Sequence, residues 1–241
     1  MTKSENKAAT VSPLGTKPSR RDAARAMRSA TEYLIATRQA ERALKAGNRA
    51  PSFRLRDQRG VEVTSETLLR NGPLLLTFYT GVWCPACDRD LRAFESLRPS
   101  VEALRASVVS ISLQAVAENA KTHAQLKLGF PILSDRGGRI AQLFGVRWCI
   151  PEVLRDILRN SGIDLPRLNG DESWTLTIPA RFIVDRAGVI AYSEINPGQF
   201  GRYPPRNVLP VLDHLHNLRT ASPLEVTTPE IQHHSTRNTQ R

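Results

Sequence analysis

Apolar residues along this chain alternate between short unbroken runs and longer stripes at helical spacing. The strongest run lies in residues 74–91, LLLTFYTGVWCPACDRDL. It predicts a buried strand that ends in a turn carrying two cysteines three positions apart and then enters a helix. Leu91, Phe94, Leu97, Val101 and Leu104 continue that helix, with a bend or break expected at Pro99. A second apolar run at 107–113, SVVSISL, predicts another buried strand. Further on, the pattern predicts a helix over 116–128, a strand over 130–133 and a helix over 139–144. Residues 180–185 and 189–194 flank a turn at 186–188 and predict a hairpin, with a last helix at 206–218.

Upstream, Met27, Ala30, Leu34, Ala40 and Leu44 recur at helical spacing, so one helix with a basic face is expected over 20–46, stopped by Gly47. Phe53 and Leu55 alternate with Arg54 and Arg56, and Val61 and Val63 alternate after a turn at 57–60, predicting two short strands followed by a helix from Thr64 or Ser65. Residues 147–175 are the least periodic part and read as an insertion, a helix-like PEVLRDILRNSG followed by a polar loop. Strands alternating with helices imply parallel pairing, and the late hairpin adds an antiparallel edge. The expected architecture is α/β, a mixed central sheet with helices on both faces. Expected boundaries are a disordered tail at 1–19, an N-terminal helix at 20–47 packed on the body, a redox domain at 48–219 and a disordered tail at 220–241.

Composition adds little about the fold and something about partners. The net charge of +11 is concentrated at the start, where residues 1–50 hold 11 Lys/Arg against 4 Asp/Glu. Without interleaved aromatics or a nucleic-acid motif beside it, this arm reads as a solvated face, and nucleic acid is disfavoured as a partner. No stretch approaches the roughly 18 apolar residues that a membrane helix needs. Three cysteines are too few for a disulfide framework, and the first thirty residues lack the apolar segment of a secretory signal. A reducing compartment, by default the cytoplasm, is expected.

In Trp83-Cys84-Pro85-Ala86-Cys87, Pro85 suits a first helical turn, where free N–H groups and the helix dipole stabilise a thiolate. Either cysteine could then form a sulfenic acid or mixed disulfide for the other to resolve. The alternatives are half of a zinc site, for which Cys149, His123, His214 and His216 show no paired spacing, and two inert buried cysteines. His233-His234 is a weak metal candidate. Cys149 reads either as a remote resolving thiol or, more commonly for a lone cysteine beside apolar residues, as a small buried hydrophobe.

The segments FYTGVWCPAC, ISLQAVAEN, FPILSD, FGV, GIDLPRLNGDESWTL and IPARFIVDRAGVI, in this order, resemble the peroxiredoxin-like proteins of the alkyl hydroperoxide reductase/thiol-specific antioxidant family over about residues 30–219. The resemblance implies a thioredoxin fold and a thiol-dependent antioxidant peroxidase using Cys84 and Cys87. Its partners would be a hydroperoxide and a thioredoxin-like or other thiol reductant, with no metal, flavin or nucleotide cofactor. A protein disulfide reductase is the alternative, and a non-enzymatic redox sensor or binding module the third.

Laid on the peroxiredoxin pattern with the cysteine at Cys87, the proline position is Thr80, the threonine position is Cys84 and the acidic position is Asp90. The family's arginine, three residues before the Phe of its FIVD-like strand, falls on Pro179. Ile178-Pro179 instead matches the cis-proline of thioredoxins, while the thioredoxin's buried carboxylate falls on Thr77. Arg181, on the same strand face as Pro179, either replaces the missing charge or is solvated or salt-bridged. Asp90 either accepts a proton or merely favours the helix N-terminus. Arg202 either lines the site entrance or is a solvated loop arginine.

Overall fold

The computed structural model describes residues 20–81, 83–195 and 205–220. Residues 1–19 and 221–241, Arg202 and His233-His234 lie outside the described residues.

Seven strands form the main sheet. In chain order they are β1 (Arg54–Arg56), β2 (Glu62–Thr64), β3 (Leu74–Phe78), β4 (Ser107–Ser112), β5 (Ile132–Ser134), β8 (Ala180–Val184) and β9 (Ile190–Ile195). Their order across the sheet is β2-β1-β5-β4-β3-β8-β9. β3 runs parallel to β4 and antiparallel to β8, so the sheet is mixed and β3 lies inside it. All five β3 residues are buried, as the unbroken apolar run requires of a strand covered on both faces. One face is filled by Phe78, Phe144 and Phe182, with ring centroids 5.0–6.0 Å apart. The other is covered by α3 (Pro85–Ala103), which buries Cys87, Leu91, Phe94 and Val101.

The helix α3 is not broken at Pro99. Its buried stripe continues on both sides of the proline, and Arg98 bridges Glu95 and Glu102 across that turn. Packing and these ion pairs outweigh the one backbone hydrogen bond that proline removes. The N-terminal helix also departs from expectation, because α1 spans Arg20–Ala36 and ends well before Gly47. Arg38 is left-handed at φ 52°, a short 3₁₀ turn follows at Gln39–Arg42, and α1 packs against α3 and α6 (Glu152–Asn160).

The stretch read as an insertion is built rather than looped. β6 (Arg147–Cys149) and β7 (Thr175–Thr177) pair as a second small sheet, with α6 and α7 (Leu165–Asn169) between them. Three-residue strands and a five-residue helix are too short to give a periodic signal. The pleat of β6 turns Trp148 inward and leaves Cys149 exposed, which corrects its reading as a buried hydrophobe.

The segment after the 3₁₀ turn is pinned where Leu44 N–H donates to Phe144 O at 3.0 Å. Gly145 makes the close approach possible, with φ +72° and a hypothetical Cβ 2.2 Å from Arg42 O. Gly145→Ala should therefore cost at least about 1–2 kcal/mol, the penalty for a left-handed non-glycine residue alone, with the backbone collision in addition. Urea unfolding of the variant measures it.

Candidate active site

The site forms where β3 ends. Tyr79 N–H still pairs with Ile111 O, and Thr177 Oγ1 donates to Tyr79 O at 2.8 Å. The chain then turns through Thr80 and Gly81, and Cys84 N–H closes the turn on Gly81 O at 3.1 Å. Cys84 is extended at φ −91°, ψ 109° and caps α3, while Pro85 opens the helix without needing a hydrogen bond. The cap is made by sulfur: Cys87 N–H points at Cys84 Sγ at 3.4 Å. Cys84 and Cys87 are buried free thiols on the first turn of one helix.

Their environments separate the two sulfurs. Cys84 is pulled below the ordinary thiol range, chiefly because the Cys87 thiol donates to it; the N–H groups of Cys87 and Ala86 and the charge of Arg89 add to this against the cost of burial. Cys87 is pushed well above that range, first by burial, then by its hydrogen bond to and the charge of Cys84; N–H groups of Thr80 and Gly81 oppose this only in part. Of the two, Cys84 is the sulfur disposed to carry negative charge, since it caps the helix and accepts the Cys87 N–H.

Around the thiols lie three groups that the sequence did not single out. Tyr79 O–H and Ser112 Oγ both donate to Asn119 Oδ1, at 2.8 and 2.9 Å, in a fully buried knot. Burial holds the Tyr79 phenol protonated. These residues come from the residue just past β3, from β4 and from α4 (Val116–Leu126), and the parallel pairing of β3 with β4 brings the first two together.

Asp90 and Arg181 also meet, as a buried ion pair, and Arg181 bonds Glu194 at 3.2 Å while its guanidinium lies 5.2 Å from the Phe94 ring centre. Arg181 is therefore salt-bridged rather than solvated. Asp90 is raised above the usual carboxylate range by burial, against the opposing charge and hydrogen bond of Arg181.

Pro179 is buried just before β8, and the pairing of Phe78 with Ala180 places it beside the start of the cysteine turn. No cis peptide bond occurs among the described residues, so the cis-proline expectation is corrected. The chain here is in extended passage between two sheets: Ile178 N–H bonds Val146 O beside the small sheet, and Ala180 opens β8. The ordinary trans linkage serves that path. Among the described residues, no three His, Cys, Asp or Glu side chains converge as a metal set, and no helix is long and apolar enough to cross a membrane.

The model of the AhpC/TSA family matches residues 46–193. A Mycobacterium tuberculosis protein named as a peroxiredoxin is 35% identical over 104 residues, 43% of this chain and 68% of its own length. The thiol-disulfide oxidoreductase ResA of Bacillus cereus is 23% identical over 134 residues, 55% of this chain and 75% of its own. Among solved structures, peroxidoxin BcpB of Mycobacterium tuberculosis superposes with a TM-score of 0.58 at 24% identity, covering 71% of this chain and 97% of that one. A mutant of peroxiredoxin 6 from Arenicola marina gives 0.59 at 18% identity, covering 76% and 79%. The match spans the sheet from β1 to β9 and the cysteine turn within it, and the chain belongs to the AhpC/TSA family, as a thioredoxin-fold, peroxiredoxin-like oxidoreductase.

Proposed function

We propose that the protein reduces hydroperoxides with Cys84 as the nucleophile and Cys87 as the resolving thiol, recycled by an external thiol reductant such as a thioredoxin-like protein. The observation that carries this reading is the position of Cys84 as the cap of α3, where its sulfur accepts the Cys87 N–H at 3.4 Å, while Cys87 sits one turn deeper and is held protonated by burial. The Cys84 thiolate attacks the terminal oxygen of R–O–O–H; an S–O bond forms as the O–O bond breaks, and the alkoxide leaves and takes a proton from solvent. Sulfur loses two electrons and becomes a sulfenic acid. Cys87 sulfur then attacks it, releasing water and forming the Cys84–Cys87 disulfide, which the external dithiol reduces. A reducing, cytoplasmic setting belongs to this reading, as does a redox domain over 48–219 with residues 20–47 packed on it.

Disulfide reduction in a protein substrate is the second reading, favoured by the similarity to ResA and by the WCPAC turn.

The test has two parts. Iodoacetamide alkylation followed by mass spectrometry should give Cys84 a midpoint below the free-thiol value of about 8.5, and Cys87→Ala should raise it by removing the main donor. Coupled to a thioredoxin system, the wild type should consume hydroperoxide faster than it reduces insulin. The reverse preference promotes the second reading, and a Cys84 midpoint at or above the free-thiol value sinks the assignment of the nucleophile.

A further inference from the structure

We propose that the cysteine turn carries a binding site for a neutral hydroperoxide, made by the indole N–H of Trp83 and the hydroxyl of Thr80. The proposal rests on the peroxidase reading above and assigns the groups that hold its substrate.

Two side chains of this one turn are buried with a polar atom that finds no hydrogen-bond partner, Trp83 at Nε1 and Thr80 at Oγ1. Buried polar groups are nearly always paired, so two orphans within four residues of each other, beside the thiols, call for a ligand. The placement is specific. Trp83 Nε1 lies folded back over Gly81, only 2.7 Å from where a Cβ on that residue would stand, so the indole edge faces the turn. Thr80 and Gly81 point their backbone N–H groups at the Cys87 sulfur, and Cys87 in turn gives its own N–H to Cys84 Sγ, so the turn carrying Thr80 lies beside the thiol pair. Pro85 and Ala86, next in the chain, are part-exposed.

The chemistry of the two orphans selects the ligand. Indole N–H can only donate, and a threonine hydroxyl can donate or accept. A hydroperoxide matches this set: its terminal O–H donates to Thr80 Oγ1 while its inner oxygen accepts from Trp83. The buried cation Arg181 is already engaged by Asp90 and Glu194, and neither orphan is charged, so nothing in the pair selects for an anion. When the Cys84 thiolate takes the terminal oxygen, negative charge develops on the inner one. A fixed donor-only group at that atom is worth more in the transition state than in the ground state.

Trp83→Phe keeps the ring and deletes the donor, and Thr80→Val keeps the shape and deletes the hydroxyl. Rates of Cys84 oxidation by hydrogen peroxide and by cumene hydroperoxide, followed by rapid mixing, should fall on the order of tenfold in each variant, the usual effect of one lost hydrogen bond. Alkylation of Cys84 by iodoacetamide, which reads the thiolate alone, should keep its rate and midpoint. Thr80→Ser, which keeps the hydroxyl, should retain the peroxide rate that Thr80→Val loses, and this comparison stands even if Trp83→Phe folds poorly. Unchanged peroxide rates overturn the proposal, and so does a parallel fall of peroxide and alkylation rates, since the two groups would then act on the sulfur. A wild type that reacts with peroxide no faster than free cysteine at equal thiolate fraction refutes the peroxidase reading itself, and the site with it.

Discussion

Cys84→Ser is expected to lower hydroperoxide turnover by about a thousandfold or more, because a serine hydroxyl at neutral pH has neither the anionic fraction nor the nucleophilicity of the thiolate. Cys87→Ser should behave differently. One equivalent of peroxide should still be consumed per chain, dimedone should trap the product on Cys84, and steady turnover should fall because no internal thiol remains to resolve it. The asymmetry follows from the order of causes on Cys87. Its proton is held by burial and then by the hydrogen bond and negative charge of Cys84, and oxidation of Cys84 to a neutral sulfenic acid removes that charge. Cys87 becomes a better nucleophile only after the peroxide has reacted. A dimedone adduct on Cys87 in Cys84→Ser, with none on Cys84 in Cys87→Ser, would reverse the assignment.

The strand-turn-helix at residues 74–91 could be read from sequence because each of its signals is local. A five-residue apolar run has only one way to be buried on both faces, and a proline after a capping residue marks a helix start. What escaped depends on pairing across distance. Glu194, the second carboxylate on Arg181, is the clearest case: the hairpin turn was legible, yet the ladder is irregular between Ile183 and Val184. Counting back from the Val184–Ile190 pair would set Arg181 against Ser193, whereas the irregularity sets it against Glu194. Cys149 failed for a related reason, since which side of a three-residue strand faces out is decided by its partner. Pro99 predicts a bend or break because the proline is a local signal, whereas the burial of the stripe and the ion pairs of Arg98 that carry the helix past it depend on packing.

Thr77 shows how the site's charges were redistributed. At the strand position where thioredoxins carry a buried acid this chain has a threonine, and its cross-strand neighbour on β8 is Arg181. A cation thus enters the buried interface from β8, and its carboxylates come from α3 and β9 as Asp90 and Glu194. Asp90 follows Cys87 by one helical turn, so this ion cluster underlies the floor of the cysteine turn.

Removing the cation should therefore be costly. Arg181→Ala leaves Asp90 and Glu194 facing each other without their common partner, and the loss expected for breaking a buried pair is about 3–5 kcal/mol. The pH dependence separates this from a simple loss of packing against Phe94. Asp90 is raised in the folded protein by burial, and Arg181 is what opposes that rise, so the variant must raise it further. A carboxyl that binds its proton more tightly when folded gives stability that is full below its unfolded value of about 3.9 and is lost as pH rises through its folded value. The gap between wild type and Arg181→Ala should therefore be widest near neutrality and narrow on acidification, as Asp90 takes up a proton in the variant. Urea unfolding of both proteins at neutral pH and near pH 4.5 reads this directly. Adding Asp90→Asn to Arg181→Ala should recover part of the neutral-pH loss, because it removes the stranded charge while keeping the shape. A destabilisation that is the same at both pH values, and unmoved by Asp90→Asn, would mean that Arg181 acts through packing alone.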